Sequence, residues 1–265
     1  MQALRVALVQ GDTRWHDAPA NRAYYGALVR QLPASDLIVL PETLLSGFSN
    51  DIAASAEPMD GEGVAWLRAL AGEMGAVICG SLAIREGGTV YNRLLWMRPD
   101  GSFAQYDKRH LFRMSGEHTR YGSGGERLIV ELKGWRVLPQ VCYDLRFPVW
   151  LRNRRLAAAT GGMEYDLAVF VANWPSPRRN AWRTLLRARA MENLCCVVGV
   201  NRVGVDGNDL RYAGDSVVLD ALGEPLVECG AQEQSVVVTL DPKALLAHRE
   251  RFPAWMDADA FKLGD

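Results

Sequence analysis

Short apolar runs, each closed by a turn residue, recur along the chain, and between them apolar positions return at helical spacing. Leu4–Val9 and Asp36–Leu40 have the character of buried strands, the second stopped by Pro41. Residues 17–32 place Ala, Tyr and Leu on one helical face and end near Pro33; Gly63–Met74 has the same period. Ala76–Ile84 and Val90–Arg98 read as two strands joined across Gly87-Gly88, a hairpin signal, and Phe103–Tyr106 continues the meander. Leu128–Leu132 and Trp135–Gln140 flank a Lys133-Gly134 turn. Further on, Pro148–Ala159 and residues 178–193 predict helices, and Leu167–Ala172, Cys195–Arg202, Ser216–Asp220 and Val236–Leu240 predict strands. Hairpin-joined strands and parallel-type apolar runs occur together. That mixture predicts an α/β fold with layers around two sheets rather than one doubly wound sheet, and leaves the strand order open. Pro and Gly are spread as turn punctuation, with no linker and no repeat, so one domain over residues 1–250 with a short extension, 251–265, is expected.

Composition narrows the functional classes. The 265 residues are 49% apolar, and 30 basic side chains nearly cancel 31 acidic ones for a net charge of −1. Disorder is excluded, and no excess of cations exists to drive nucleic-acid binding. No apolar run approaches the ~18 residues of a membrane span. Five scattered cysteines do not suggest a disulfide framework, and the amino-terminal segment runs into a strand without a basic and then long apolar leader. A cytoplasmic address is expected. No zinc-type His pattern occurs, Gly122–Gly125 lacks a following Lys-Ser/Thr, and no GxGxxG opens a helix, so neither a metal nor a nucleotide cofactor is expected.

Three strands deliver a polar residue at their ends: Glu42 after Leu40-Pro41, Lys108 after Tyr106-Asp107, and Cys142 after Gln140-Val141. Taken singly, each has an ordinary explanation: a turn-capping acid, a solvated Lys-Arg-His run, a small buried hydrophobe. Converging beyond the strand ends, they would make a reactive thiol site. A carboxylate can take the thiol proton, while an ammonium favours thiolate and can face a developing oxyanion.

The ordered contexts resemble the nitrilase superfamily of carbon–nitrogen hydrolases. The matching pieces are Leu40-Pro41-Glu42-Thr43 with Gly47-Phe48, Tyr106 to Phe112, Val141-Cys142-Tyr143-Asp144-Leu145-Arg146-Phe147-Pro148, Arg187 to Asn193, and Tyr212 to Ser216. The resemblance implies an α-β-β-α sandwich of two mixed sheets flanked by helices, which pairs with a second copy through its helical layer. It implies that Glu42, Lys108 and Cys142 are catalytic, and that Glu117 on the Gly116-Glu117-His118 loop holds either the lysine or the substrate amide. Gly116-Glu117-His118, Ala172-Asn173-Trp174-Pro175 and the Arg249–Trp255 tail are most similar to the omega-amidase branch, whose substrates are omega-amides of 2-oxo acids. Tyr143 and Trp174 would then shape the pocket, and a substrate carboxylate would need Arg146, Arg178 or Arg179. Arg183 and Arg187 continue that helical stripe as surface charge. Rival substrates on the same site are nitriles, N-carbamoyl compounds and other amides; a non-catalytic binding protein on the same scaffold is a rival of another class. A papain-like Cys-His pair finds no support, because no His sits in a context suggesting a base, and His110 reads as a loop support.

Overall fold

The structure is a computed structural model that describes residues 1–156 and 162–262. Its first sheet contains β1 (Leu4–Gln10), β2 (Leu37–Val39), β3 (Val77–Glu86), β4 (Thr89–Met97) and β5 (Phe103–Asp107). The second contains β6 (Val130–Leu132), β7 (Trp135–Val141), β8 (Leu167–Ala172), β9 (Cys196–Asn201), β12 (Val217–Leu219) and β13 (Pro225–Glu228). Between β9 and β12 a separate hairpin is formed by β10 (Val203–Val205) and β11 (Arg211–Ala213), and β14 (Gln234–Leu240) returns to the first sheet. The orders are β14-β1-β2-β3-β4-β5 and β13-β12-β9-β8-β7-β6. In each sheet the central pairs are parallel, β1/β2/β3 and β7/β8/β9, and the outer pairs are antiparallel. Both sheets are therefore mixed.

Alternation along β1 shows how the layers arise. Leu4, Val6 and Leu8 face the second sheet and pack with Val137, Leu167 and Val169. Ala7 and Val9 point the other way and join the cluster of Tyr25, Val29, Leu67 and Leu70 from helices α1 (Ala18–Arg30) and α3 (Glu62–Met74), which flank the short α2 (Ile52–Ser55). β8 is buried on both faces, its outer face under Trp182, Leu186 and Ala190 of α5 (Arg179–Asn193), which follows the short α4 (Pro148–Leu151). Helix, sheet, sheet, helix is the resulting order, the expected α-β-β-α sandwich. The Gly87-Gly88 hairpin forms as expected, both glycines at positive φ (+56° and +81°) as a tight two-residue turn requires.

The chain departs from expectation where side chains override pattern. The helix expected over Pro148–Ala159 stops at Leu151, and residues 157–159 lie outside the described residues. Asn153 explains the stop: its amide donates to the Tyr165 and Asn193 carbonyls at 2.8 and 3.0 Å and accepts from Tyr165 N at 3.0 Å, fixing an extended segment. The first β6 residues, Leu128 and Ile129, stay outside the strand. Helix α6 (Pro242–Arg251) runs through the expected boundary at residue 250, and the following tail lays half-buried Trp255 under the Arg155 guanidinium, 5.5 Å from the ring centroid.

Candidate active site

Glu42 lies in the turn after β2, Lys108 directly after β5, and Cys142 directly after β7. The first two come from one sheet and the third from the other, so the sandwich brings them together. Glu117, in a short 3-10 turn (Glu117–Thr119), closes the cluster from the β5–β6 connection.

Lys108 Nζ donates to Glu42 Oε1 at 3.0 Å and to Glu117 Oε1 and Oε2 at 2.9 and 3.0 Å. All three side chains are buried. Burial alone would depress the lysine pKa, but the two carboxylates outweigh it and hold the ammonium well above its ordinary value. Glu117 is raised, chiefly by burial, against the lowering pull of Lys108. Its Oε2 also accepts the Phe112 backbone N–H at 2.5 Å. Glu117 faces the lysine and is not among the residues that line the cavity.

Burial and then the Glu42 charge push the Cys142 thiol well above its ordinary pKa, outweighing the pull of Lys108. The two carboxylates that hold the ammonium offset its pull on the thiol. The Cys142 sulfur lies 3.9 Å from the Asn173 carbonyl oxygen. Cys142 holds a left-handed backbone (φ +44°), a strain of about 1–3 kcal/mol that places its side chain off the end of β7.

Two asparagines hold the carboxylate and were not singled out as site residues from sequence. Asn92 Nδ2 donates to Glu42 Oε1 at 2.8 Å, and the Asn173 backbone N–H donates to Oε2 at 2.7 Å. The Asn173 amide also donates to Glu42 O and Thr43 Oγ1, at 2.8 and 2.9 Å. The available signal was a polar residue inside an apolar strand, Asn92 in Val90–Met97, and one ending another, Asn173 after Ala172.

A cavity of about 240 Å³ opens over Glu42, Lys108 and Cys142. Its walls are largely apolar, from Phe48, Phe112, Met114, Leu210 and Tyr212. Tyr143, Arg146, Trp174 and Arg178 all line it. The Arg146 guanidinium sits 4.8 Å from the Trp174 ring centroid, and that of Arg178 sits 5.2 Å from the Phe112 ring centroid. Among the described residues neither has a carboxylate partner. Arg179 is not part of the wall; it pairs with Asp215 at 2.7 Å, and Arg183 and Arg187 pair with Glu228. No metal-ligating cluster occurs among the described residues, and no described helix is long and apolar enough to cross a membrane.

Proton acceptor, cation and soft nucleophile around one cavity suit attack on a carbonyl-type carbon, the business of a thiol hydrolase. Comparison with known proteins sharpens the class. The carbon–nitrogen hydrolase family profile matches residues 5–249. An omega-amidase YafV of Yersinia enterocolitica is 47% identical over 264 residues, covering 99% of this chain and 100% of the relative. A 2-oxoglutaramate amidase of Bacillus subtilis is 34% identical, covering 84% of this chain and 85% of its own. Among solved structures, a carbon–nitrogen hydrolase superfamily protein of Xanthomonas campestris, with an arsenic adduct in its active site, superposes with a TM-score of 0.98 at 60% identity over 100% of both chains. The chain belongs to the carbon–nitrogen hydrolase family, and it is a hydrolase that acts on amides.

Proposed function

We propose that the protein hydrolyses omega-amides of 2-oxo acids, such as 2-oxosuccinamate and 2-oxoglutaramate, through a thioester on Cys142. The observation that carries this reading is the cavity itself: a buried Glu42–Lys108–Cys142 cluster beneath two arginines that have no acid partner among the described residues. The cluster supports amide chemistry, and Arg146 and Arg178 support a small substrate with a carboxylate at its far end. The names of the two amidase relatives point the same way.

In the proposed cycle Glu42 takes the Cys142 proton as the sulfur attacks the amide carbon, so the thiolate forms only with its target in place. Lys108 and the Tyr143 backbone N–H receive the oxyanion. Glu42 returns the proton to the departing nitrogen, ammonia leaves, and an acyl thioester remains. Water then attacks the thioester with Glu42 as base, releasing the 2-oxo dicarboxylic acid and restoring the thiol. Glu117 keeps Lys108 aimed at the cavity.

The test is ammonia release across omega-amides of 2-oxo acids, simple aliphatic amides, N-carbamoyl compounds and nitriles. Omega-amides are expected to give the highest kcat/KM, and Cys142→Ala to abolish release. Faster turnover of simple amides or nitriles would reassign the substrate, and substantial turnover by Cys142→Ser would remove the thioester route.

Two further readings belong here. The five free, buried cysteines support a reducing compartment, and we place the enzyme in the cytosol. We also propose a homodimer joined through the helical layer, supported by exposed Met191, Leu222, Leu246 and Phe252 around α5 and α6.

A further inference from the structure

Between the cysteine turn and the lysine loop lies a carboxylate that the proposed cycle does not use. Asp144 is fully buried, two residues after the nucleophile. Its Oδ1 accepts the His110 backbone N–H at 2.9 Å and contacts the His110 ring Nδ1 at 2.7 Å. Its Oδ2 accepts the Tyr106 hydroxyl at 2.9 Å and the Val141 backbone N–H at 3.2 Å.

Those partners fall on two loops from two different sheets. Tyr106 and His110 bracket Lys108 at the end of β5; Val141 immediately precedes Cys142 at the end of β7. Among the described residues no strand pairing joins the two sheets. The separation of the Cys142 sulfur from the Lys108 ammonium therefore depends on side-chain links across the gap, and Asp144 binds both loops with one carboxylate. Its surroundings limit its movement. The His110 ring stacks on Phe147, with centroids 3.7 Å apart, and Trp150 Nε1 donates to Tyr106 Oη at 3.2 Å and to Gln140 Oε1 at 3.0 Å. The left-handed backbone of Cys142 is a second sign: a strained non-glycine residue persists where neighbouring bonds over-determine it, and the Val141–Asp144 bond is at its flank.

We propose that Asp144 is a positioning residue, which sets the placement of the Cys142 thiol relative to the Lys108 ammonium by clasping both loops. The proposal rests on the reading of Cys142 and Lys108 as the reacting groups, and it does not depend on which amide is the substrate.

Asp144→Asn tests it. The variant keeps one acceptor oxygen but sets an N–H donor against groups that themselves donate, so one loop is released. The substrate is whichever amide the wild-type protein turns over fastest in the panel above, so failure of the omega-amide reading leaves this test intact. Sites are counted by complete alkylation of Cys142 with iodoacetamide. A fall in kcat per alkylatable site of about 100-fold, with KM changed by less than about threefold, is expected for a displaced reacting group. A purely structural role would lower the melting temperature and leave kcat per site unchanged, and that result overturns the proposal. If Asp144→Asn does not fold, His110→Gln decides: it removes the ring contact with Asp144 together with the ring stacking on Phe147 and keeps the backbone bond, and a fall in kcat of about 10-fold at unchanged KM is expected, whereas an unchanged kcat overturns the proposal.

Discussion

At the scale of single residues, the site is a contest of charges for one ammonium. Glu42 and Glu117 both hold Lys108, and both raise the Cys142 thiol. Removing one negative charge should therefore separate two properties that usually move together. In Glu117→Gln the thiol loses part of its repulsion, so the pH profile of Cys142 alkylation by iodoacetamide is expected to shift to lower pH. Turnover moves the other way: Lys108 loses an anchor, and kcat should fall by about 10- to 100-fold with little change in KM. An alkylation profile that stays put or moves to higher pH would show that Glu117 does not act on the thiol through its charge. Glu42, Lys108 and Cys142 were legible in the sequence because each ends a recognisable strand. Asn92 and Asn173 were not, because their parts in the site exist only through bonds to Glu42 that span 50 and 131 residues.

At the scale of elements, most strands were legible as apolar runs between turn residues, whereas β10, β11, β13 and α6 were hidden. The buried positions of α6 are Pro242, Leu245 and Arg249, so no apolar stripe marks it. What docks it is an ion pair. Arg249 donates to the Leu194 and Tyr165 carbonyls, at 2.7 and 2.9 Å, and to Asp166 Oδ1 at the start of β8. Asp166 also accepts from the backbone N–H and guanidinium of Arg136, at 3.0 to 3.2 Å. Burial would raise the Asp166 carboxyl, but these cations hold it below the usual carboxylate range. A depressed pKa in the folded state contributes stability at neutral pH, and the contribution is lost as pH falls through the folded value. Asp166→Asn should therefore lower stability by about 3 kcal/mol at pH 7, in urea unfolding, by stranding the buried Arg249 and the partly exposed Arg136. The gap to wild type should close below about pH 4. A gap independent of pH would mean that the lost contacts, not the charge, account for the effect.

At the scale of the whole molecule, the proposed reacting groups are assembled by packing rather than by proximity in the chain. Glu42 and Lys108 belong to the first sheet and Cys142 to the second, so the site exists only when the two sheets are stacked. The outer helical layer has no such internal duty at one end. Met191, Leu222 and Phe252 are each more than half exposed around a surface groove beside α5 and α6. A monomer would leave this apolar patch in water, and a two-fold partner offering the same patch would cover it. The proposed homodimer therefore predicts a solution mass twice the 29.3 kDa of the chain by light scattering. Leu222→Asp combined with Phe252→Asp should shift that mass to the monomer, because two charges would be buried without partners across the interface. A wild-type protein that remains monomeric at micromolar concentration removes the dimer. A double variant that remains dimeric moves the interface to another face. In either case the Glu42–Lys108–Cys142 contacts lie within one chain, so the dimer is not needed to build the site.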